Sequence, residues 1–147
     1  MRVDTIVLTG GLVLMGQAGA TCDFRLAVND ALQYPVTRMV AESSCETITV
    51  TVVHQGTLGA HVMGHNWVLA KTADVQGVAL DGMRVGAGSD YLQPGDPRVV
   101  AATRIVGAGE SASTSFSPRA LQPGESYSFF SSFPANWTLM SGEFVLR

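Results

Sequence analysis

Lysine is almost missing from this chain. Lys71 is the one lysine in 147 residues, and the arginines are scattered. With a formal net charge of −3 there is no basic stripe to follow a phosphate backbone, which excludes nucleic acid as a partner. Charge of either sign is sparse at 14%, while 46% of the residues are hydrophobic, a balance that argues for a packed core and against disorder. Cysteine is limited to Cys22 and Cys45, too few for a four-thiolate metal site and enough for one disulfide. No internal repeat, linker or low-complexity stretch divides the chain, and its length suits one core. What is plentiful is glycine (16), with six prolines and many Thr, Val and Ser residues, a composition of strands and turns rather than helices.

Long apolar runs are also lacking. The uncharged stretch from Thr5 to Ala20 covers 16 residues, short of the roughly 20 that span a bilayer. Arg2 precedes it, and Ala18-Gly19-Ala20 ends it in the small-x-small pattern of a cleavage site. Residues 1–20 therefore read as a signal peptide, in preference to a membrane anchor or a buried first strand. The mature domain is then 21–147, exported, with no membrane attachment after cleavage. In an oxidising compartment Cys22 and Cys45 can pair. Such a bridge closes a loop of about 24 residues and contributes roughly 3 kcal/mol on the loop-entropy model.

Along the mature chain, Thr47-Ile48-Thr49-Val50-Thr51-Val52 alternates polar and apolar without a break, the pattern of a half-buried strand. Asp23 to Val28 alternates more loosely. Val99 to Val106, Ser111 to Phe116, Tyr127 to Phe133 and Phe144 to Leu146 are further strand candidates. Turn signals separate them, among them Gly86-Ala87-Gly88, Gln93-Pro94-Gly95-Asp96-Pro97 and Gln122-Pro123-Gly124. Only Thr72 to Met83 suits a short helix, and Gly77 and Gly82 weaken it. Many short strands with regular turns predict an all-β, two-sheet sandwich with Greek-key connections.

Two segments carry the chemistry. One is Met63-Gly64-His65-Asn66-Trp67, and the other is the loop from Phe129 to Gly142 containing Ser131, Phe133-Pro134, Asn136 and Met140. With His54, Asp81-Gly82-Met83, Asp90-Tyr91-Leu92 and the cysteine pair, they run collinear with one known pattern. On these residues the whole mature chain resembles the azurins, bacterial blue-copper electron carriers of the cupredoxin family. The resemblance implies a cupredoxin-type Greek-key β-sandwich of about eight strands with a small helical flap near Thr72 to Met83. It implies a core of Ile48, Val50, Trp67, Phe129 and Phe144, and a Cys22–Cys45 disulfide. By the same resemblance copper and periplasmic electron transport are the expected cofactor and role.

The ligand positions depart from that pattern. A blue-copper centre needs two imidazoles and one thiolate, with a weak axial thioether or backbone oxygen. Azurins take the first imidazole from the Gly-His-Asn segment and the rest from a Cys-x4-His-x3-Met loop. Here Ser131, Asn136 and Met140 keep that spacing, and Gly64, His65 and Met140 keep their identities. The thiolate position, however, holds Ser131, and the second imidazole position holds Asn136. A serine hydroxyl stays protonated near neutral pH and cannot supply thiolate covalency, and no third cysteine exists. A normal blue centre is excluded on this reading. Weak copper binding by Gly64, His65 and Met140 is what the resemblance leaves.

Other residues have plainer readings. His54 fits a structural histidine beside the site. His61, Met63 and His65 are spaced two apart, so a regular strand would align them as a soft-metal cluster. The resemblance instead puts His61 and Met63 near the surface and turns His65 inward. Asn136-Trp137-Thr138 matches the glycosylation sequon, and the bacterial origin that the resemblance implies makes that match accidental. Ser131 has no nucleophile-elbow or neighbouring His/Asp motif, so no enzyme is read.

The resemblance also implies an apolar docking patch of Leu32, Leu58, Val62, Met63, Met83, Phe133, Pro134, Ala135 and Leu139, with Trp137 exposed at its centre. The plain alternative is scattered surface apolars, which need no explanation. Two functions follow. One is an exported scaffold with a degenerate copper site that binds a periplasmic protein. The other is a periplasmic copper-binding electron-transfer protein with a reduced ligand set.

Overall fold

The computed structural model describes residues 21–147. The expected leader at 1–20 lies outside them. Eight strands form two sheets among the described residues. Strand β1 (Asp23–Val28) runs parallel to β3 (Ile48–His54), which pairs antiparallel with β6 (Ser111–Phe116). The second sheet has the order β2-β8-β7-β4-β5, from β2 (Arg38–Ala41), β4 (Val68–Lys71), β5 (Val99–Ala102), β7 (Tyr127–Phe130) and β8 (Ser141–Leu146). A one-turn helix α1 (Ala60–Met63) precedes β4, and the longer α2 (Val75–Val85) follows a 3-10 turn at Thr72–Asp74. The all-β sandwich with a small helical flap is as the sequence predicts.

The alternation of β3 explains the core. Ile48, Val50 and Val52 point inward and are fully buried, while Thr49 and Thr51 face outward to bond Ser115 and Ser113 hydroxyls on β6. Between the sheets, Trp67 lies 6.1 Å from Phe116, 6.3 Å from Phe129 and 6.1 Å from Phe144. Aromatic contacts of this kind add to simple area burial. Cys22 and Cys45 are bonded, with Cα atoms 5.6 Å apart, and tie the start of β1 to the segment before β3.

A second apolar cluster covers the outer face of the β4–β7 region. Val75, Val78 and Ala79 of α2 pack on Val68, Ala70 and Phe130. This burial on both faces makes Val68-Leu69-Ala70 continuously apolar, as buried strands are. Gly82 lets α2 approach the 90–92 turn, since a Cβ there would overlap the Tyr91 carbonyl oxygen. Arg98 clamps the helix from the other side, with Nη2 2.7 Å from Asp81 and 2.8 Å from the buried Asp96.

Two strand expectations need shortening. The Val99 to Val106 strand ends at Ala102, because the next residue, Thr103, turns its hydroxyl to accept the Trp67 N–H at 3.0 Å. Val106 keeps only an isolated bridge to His65. The Tyr127 to Phe133 strand ends at Phe130, where the Ser132 N–H turns to the Asn66 side chain at 2.8 Å. The helix expected over Thr72 to Met83 is a 3-10 turn followed by α2, which reaches Val85.

Candidate metal centre

The sandwich brings the two chemical segments together at one end. His65 is pinned by its backbone, donating to the Val106 carbonyl at 3.0 Å and accepting from the Val106 N–H at 2.8 Å. Its ring is fully buried. Nε2–H donates to the Asn29 carbonyl at 2.7 Å, which leaves Nδ1 as a lone pair aimed inward. Burial holds this imidazole below the usual histidine range, with the Asn29 carbonyl opposing that shift. Gly64 sits where no side chain fits: a Cβ would lie 2.5 Å from both the Ala60 carbonyl oxygen and an Ile105 methyl.

The loop between β7 and β8 closes over this segment. The Ser131 N–H donates to the Met140 carbonyl at 3.1 Å, and the Met140 N–H to the Asn136 carbonyl at 2.7 Å. Met140 and Asn136 are therefore buried, side by side, under the loop. The Asn136 amide nitrogen then lies 3.3 Å from His65 Nδ1, 3.4 Å from the Gly64 carbonyl oxygen and 3.8 Å from Met140 Sδ. Ser131 Oγ, also buried, has no hydrogen-bond partner.

Copper can be tested against this donor set. A trigonal blue site needs lone pairs from a thiolate and a second imidazole. At those positions the chain offers a neutral hydroxyl and an amide whose N–H bonds face the remaining acceptors. The residues do not fit a type 1 centre. No group of three or more His, Cys, Asp or Glu residues able to hold a metal occurs among the described residues.

His61 and Met63 lie on α1 and His65 beyond it, so the regular strand that would align a soft-metal cluster is absent from this segment. His61 is exposed, Met63 half-buried and His65 buried. The Asn136 sequon is buried and cannot accept a glycan in the folded protein.

Two supports of the site, Asn66 and Ser132, have no role assigned by the sequence motifs, whereas His54 is the structural histidine expected there. Asn66 donates to Ser132 Oγ at 2.8 Å, and Ser132 Oγ donates to the Asp90 carbonyl at 3.0 Å, joining three loops. The signal was an asparagine inside an apolar run, since a buried amide must find partners. His54 donates from Nε2 to the Met63 carbonyl at 2.8 Å and accepts the Gly56 N–H at Nδ1.

Around the site Leu32, Leu58, Met83 and Ala135 are exposed, and Val62 and Leu139 more so, at 63% and 65%. Met63, Phe133 and Pro134 are half-buried. The expectation for Trp137 is corrected. Its indole is half-buried and packs on the α2 cluster, lining a surface groove with Thr72, Val75, Gln76 and Ser128. Helix α2 offers it an apolar wall, so it is not the fully exposed side chain expected.

The comparisons agree on ancestry. The family model described as copper binding proteins, plastocyanin/azurin family, matches residues 20–147. An azurin from Achromobacter denitrificans is 47% identical over 127 residues, covering 86% of this chain and 85% of that protein. An azurin from Pseudomonas chlororaphis is 45% identical over 128 residues, covering 87% of this chain and all of the other. Among solved structures, the azurin Az-iso2 from Methylomonas sp. strain J superposes with a TM-score of 0.83 at 39% identity, over 87% of this chain and 99% of that one. Sequence, sandwich and disulfide lead to one conclusion: the chain belongs to the plastocyanin/azurin family of copper binding proteins.

Proposed function

We propose that this azurin-family chain is an exported protein that works without a blue copper centre and uses its apolar end face to bind a periplasmic protein partner. The observation that carries this reading is the Asn136 amide, whose donors face His65 Nδ1 and the Gly64 carbonyl from 3.3 and 3.4 Å. A group that donates to the remaining ligands does the opposite of a ligand. The exposed Leu32, Leu58, Val62, Met83 and Leu139 support the docking role, as contact surfaces gather apolar residues. Export rests on the leader-like residues 1–20, and the start of the family match at residue 20 supports that boundary. No helix among the described residues is long and apolar enough to cross a membrane. A binding role is preferred to an enzymatic one because Ser131 Oγ has no base within hydrogen-bond reach.

A second reading is a copper-binding electron-transfer protein with a reduced ligand set. The comparisons favour it, since the relatives are named azurins and the family is described as copper binding. The retained Gly64 carbonyl, His65 Nδ1 and Met140 Sδ favour it too, because copper(I) accepts imidazole and thioether. Metal analysis of protein purified from its native periplasm separates the two. Absence of copper is the expected result; one copper per chain would establish the second reading. In parallel, a cross-linked partner lost on Leu139→Asp or Val62→Asp supports the docking face, and a partner retained by both variants counts against it.

A further inference from the structure

Three acceptors converge on one point in this protein: His65 Nδ1, the Gly64 carbonyl and Met140 Sδ. Each is held there by something else. The Asn29 carbonyl takes the other ring nitrogen of His65 at 2.7 Å, the close approach at Gly64 fixes its peptide, and the Ser131–Met140 backbone bond places the thioether. Three lone-pair carriers facing one another in a buried space repel unless something positive stands between them. The Asn136 amide nitrogen stands there, carrying two polarised hydrogens.

We propose that the side-chain amide of Asn136 is the resident occupant of the cation position in this site, holding the 131–140 loop on the Gly64–His65 segment with no metal. The assignment deepens the reading of a site without blue copper and rests on it. It gives Asn136 a positive role, as the donor that the retained ligands require. The hydroxyl of Ser131 adds no such positive group, because its oxygen is buried with no partner. Of the two residues at the departed ligand positions, only Asn136 bonds the Gly64–His65 segment through its side chain.

The assignment separates charge from volume. Asn136→Asp keeps the shape and replaces the donor with a further acceptor, whereas Asn136→Ala removes both. An occupant valued for its hydrogens makes the isosteric variant the worse of the two. A residue that merely fills space makes it the better.

The test uses the full mature chain and both variants, melted in chelator and again with excess Co(II). Wild type should melt at the same temperature in both conditions. Melted at pH 9, where no proton pairs the new carboxylate with His65 Nδ1, Asn136→Asp should fall roughly 5–10 °C below wild type in chelator and below Asn136→Ala, since a buried unpaired acceptor carries a large penalty. Co(II) should restore it, because a cation can then take the position the amide held. Asn136→Asp melting with wild type, or above Asn136→Ala, overturns the assignment; so does a loss that Co(II) leaves unchanged. Should neither variant fold, hydrogen exchange of the wild-type Asn136 side-chain amide decides. Protection at least about tenfold beyond exposed asparagines supports the assignment, and exchange at their rate overturns it. A blue band in copper-loaded wild type would defeat the functional reading above and leave these metal-free melts to be judged separately.

Discussion

His54 and His65 stack with ring centroids 5.2 Å apart and planes 12° from parallel. Every nitrogen of the pair is committed: His54 to the Met63 carbonyl and the Gly56 N–H, His65 to the Asn29 carbonyl and the Asn136 amide. Ring orientation at His65 is therefore set by packing and hydrogen bonds, with no contribution needed from a metal. One half of the old ligand set is held ready.

Restoring the other half should restore the chemistry. Ser131→Cys with Asn136→His adds a thiolate and a second imidazole at the preserved spacing, with Met140 beside them. We expect the double variant to turn blue with copper(II), and Ser131→Cys alone to give a weaker or differently coloured site. A double variant that folds and stays colourless in a visible spectrum would show that the loop has repacked around its present residues.

Ala135 occupies the left-handed region at φ +69, directly before Asn136. A Cβ is disfavoured there by roughly 1 kcal/mol, and glycine is not. Ala135→Gly should therefore leave stability in urea denaturation unchanged or raised by up to about 0.5 kcal/mol, because the extra freedom of the unfolded glycine chain offsets most of that relief. A loss of stability would mean that the Ala135 methyl packs against something the geometry does not reveal.

Trp137→Ala should be costly to the fold. The indole covers part of the cluster formed by Val75, Val78 and Phe130. Removing a half-buried tryptophan should lower stability by about 2 kcal/mol, less than the 3–5 typical of a fully buried one. Paired thermal melts check this. A change within about 0.5 kcal/mol would return Trp137 to the surface and to the docking face.

That residue marks where the sequence was readable and where it was not. Ile48–His54 was legible because one of its faces meets the core and the other meets solvent, which writes a period of two into the residues. Val68–Lys71 was not, because α2 covers its outer face and erases the alternation. Arg38–Ala41, four residues long, offers too little pattern to stand out. The ligand positions could be located by spacing alone, and the loss of thiolate and imidazole was plain from residue identity. The donor role of Asn136 and the resting place of Trp137 depend on neighbours distant in sequence, Gly64 and His65 for one and α2 for the other. No local pattern encodes those.

Acid should loosen the clamp on α2. The Arg98 guanidinium bonded to Asp96 holds that carboxyl below the usual aspartate range, with burial opposing. A depressed carboxylate contributes stability above its unfolded value of roughly pH 4, and the contribution is lost as pH falls through the lower folded value. Asp96→Asn should flatten the fall in stability between about pH 5 and pH 2. A denaturation series showing the same acid slope for both proteins would place the acid-sensitive carboxylates elsewhere.

On the function proposed above, this azurin-family chain forms no blue copper centre. Addition of copper(II) to the purified wild-type protein, followed by visible absorption and electron paramagnetic resonance, tests it most directly. The expected result is no intense thiolate-to-copper band, and resonance from weakly held or free copper(II) alone. An intense blue band with the narrow copper hyperfine splitting of a thiolate site would contradict it.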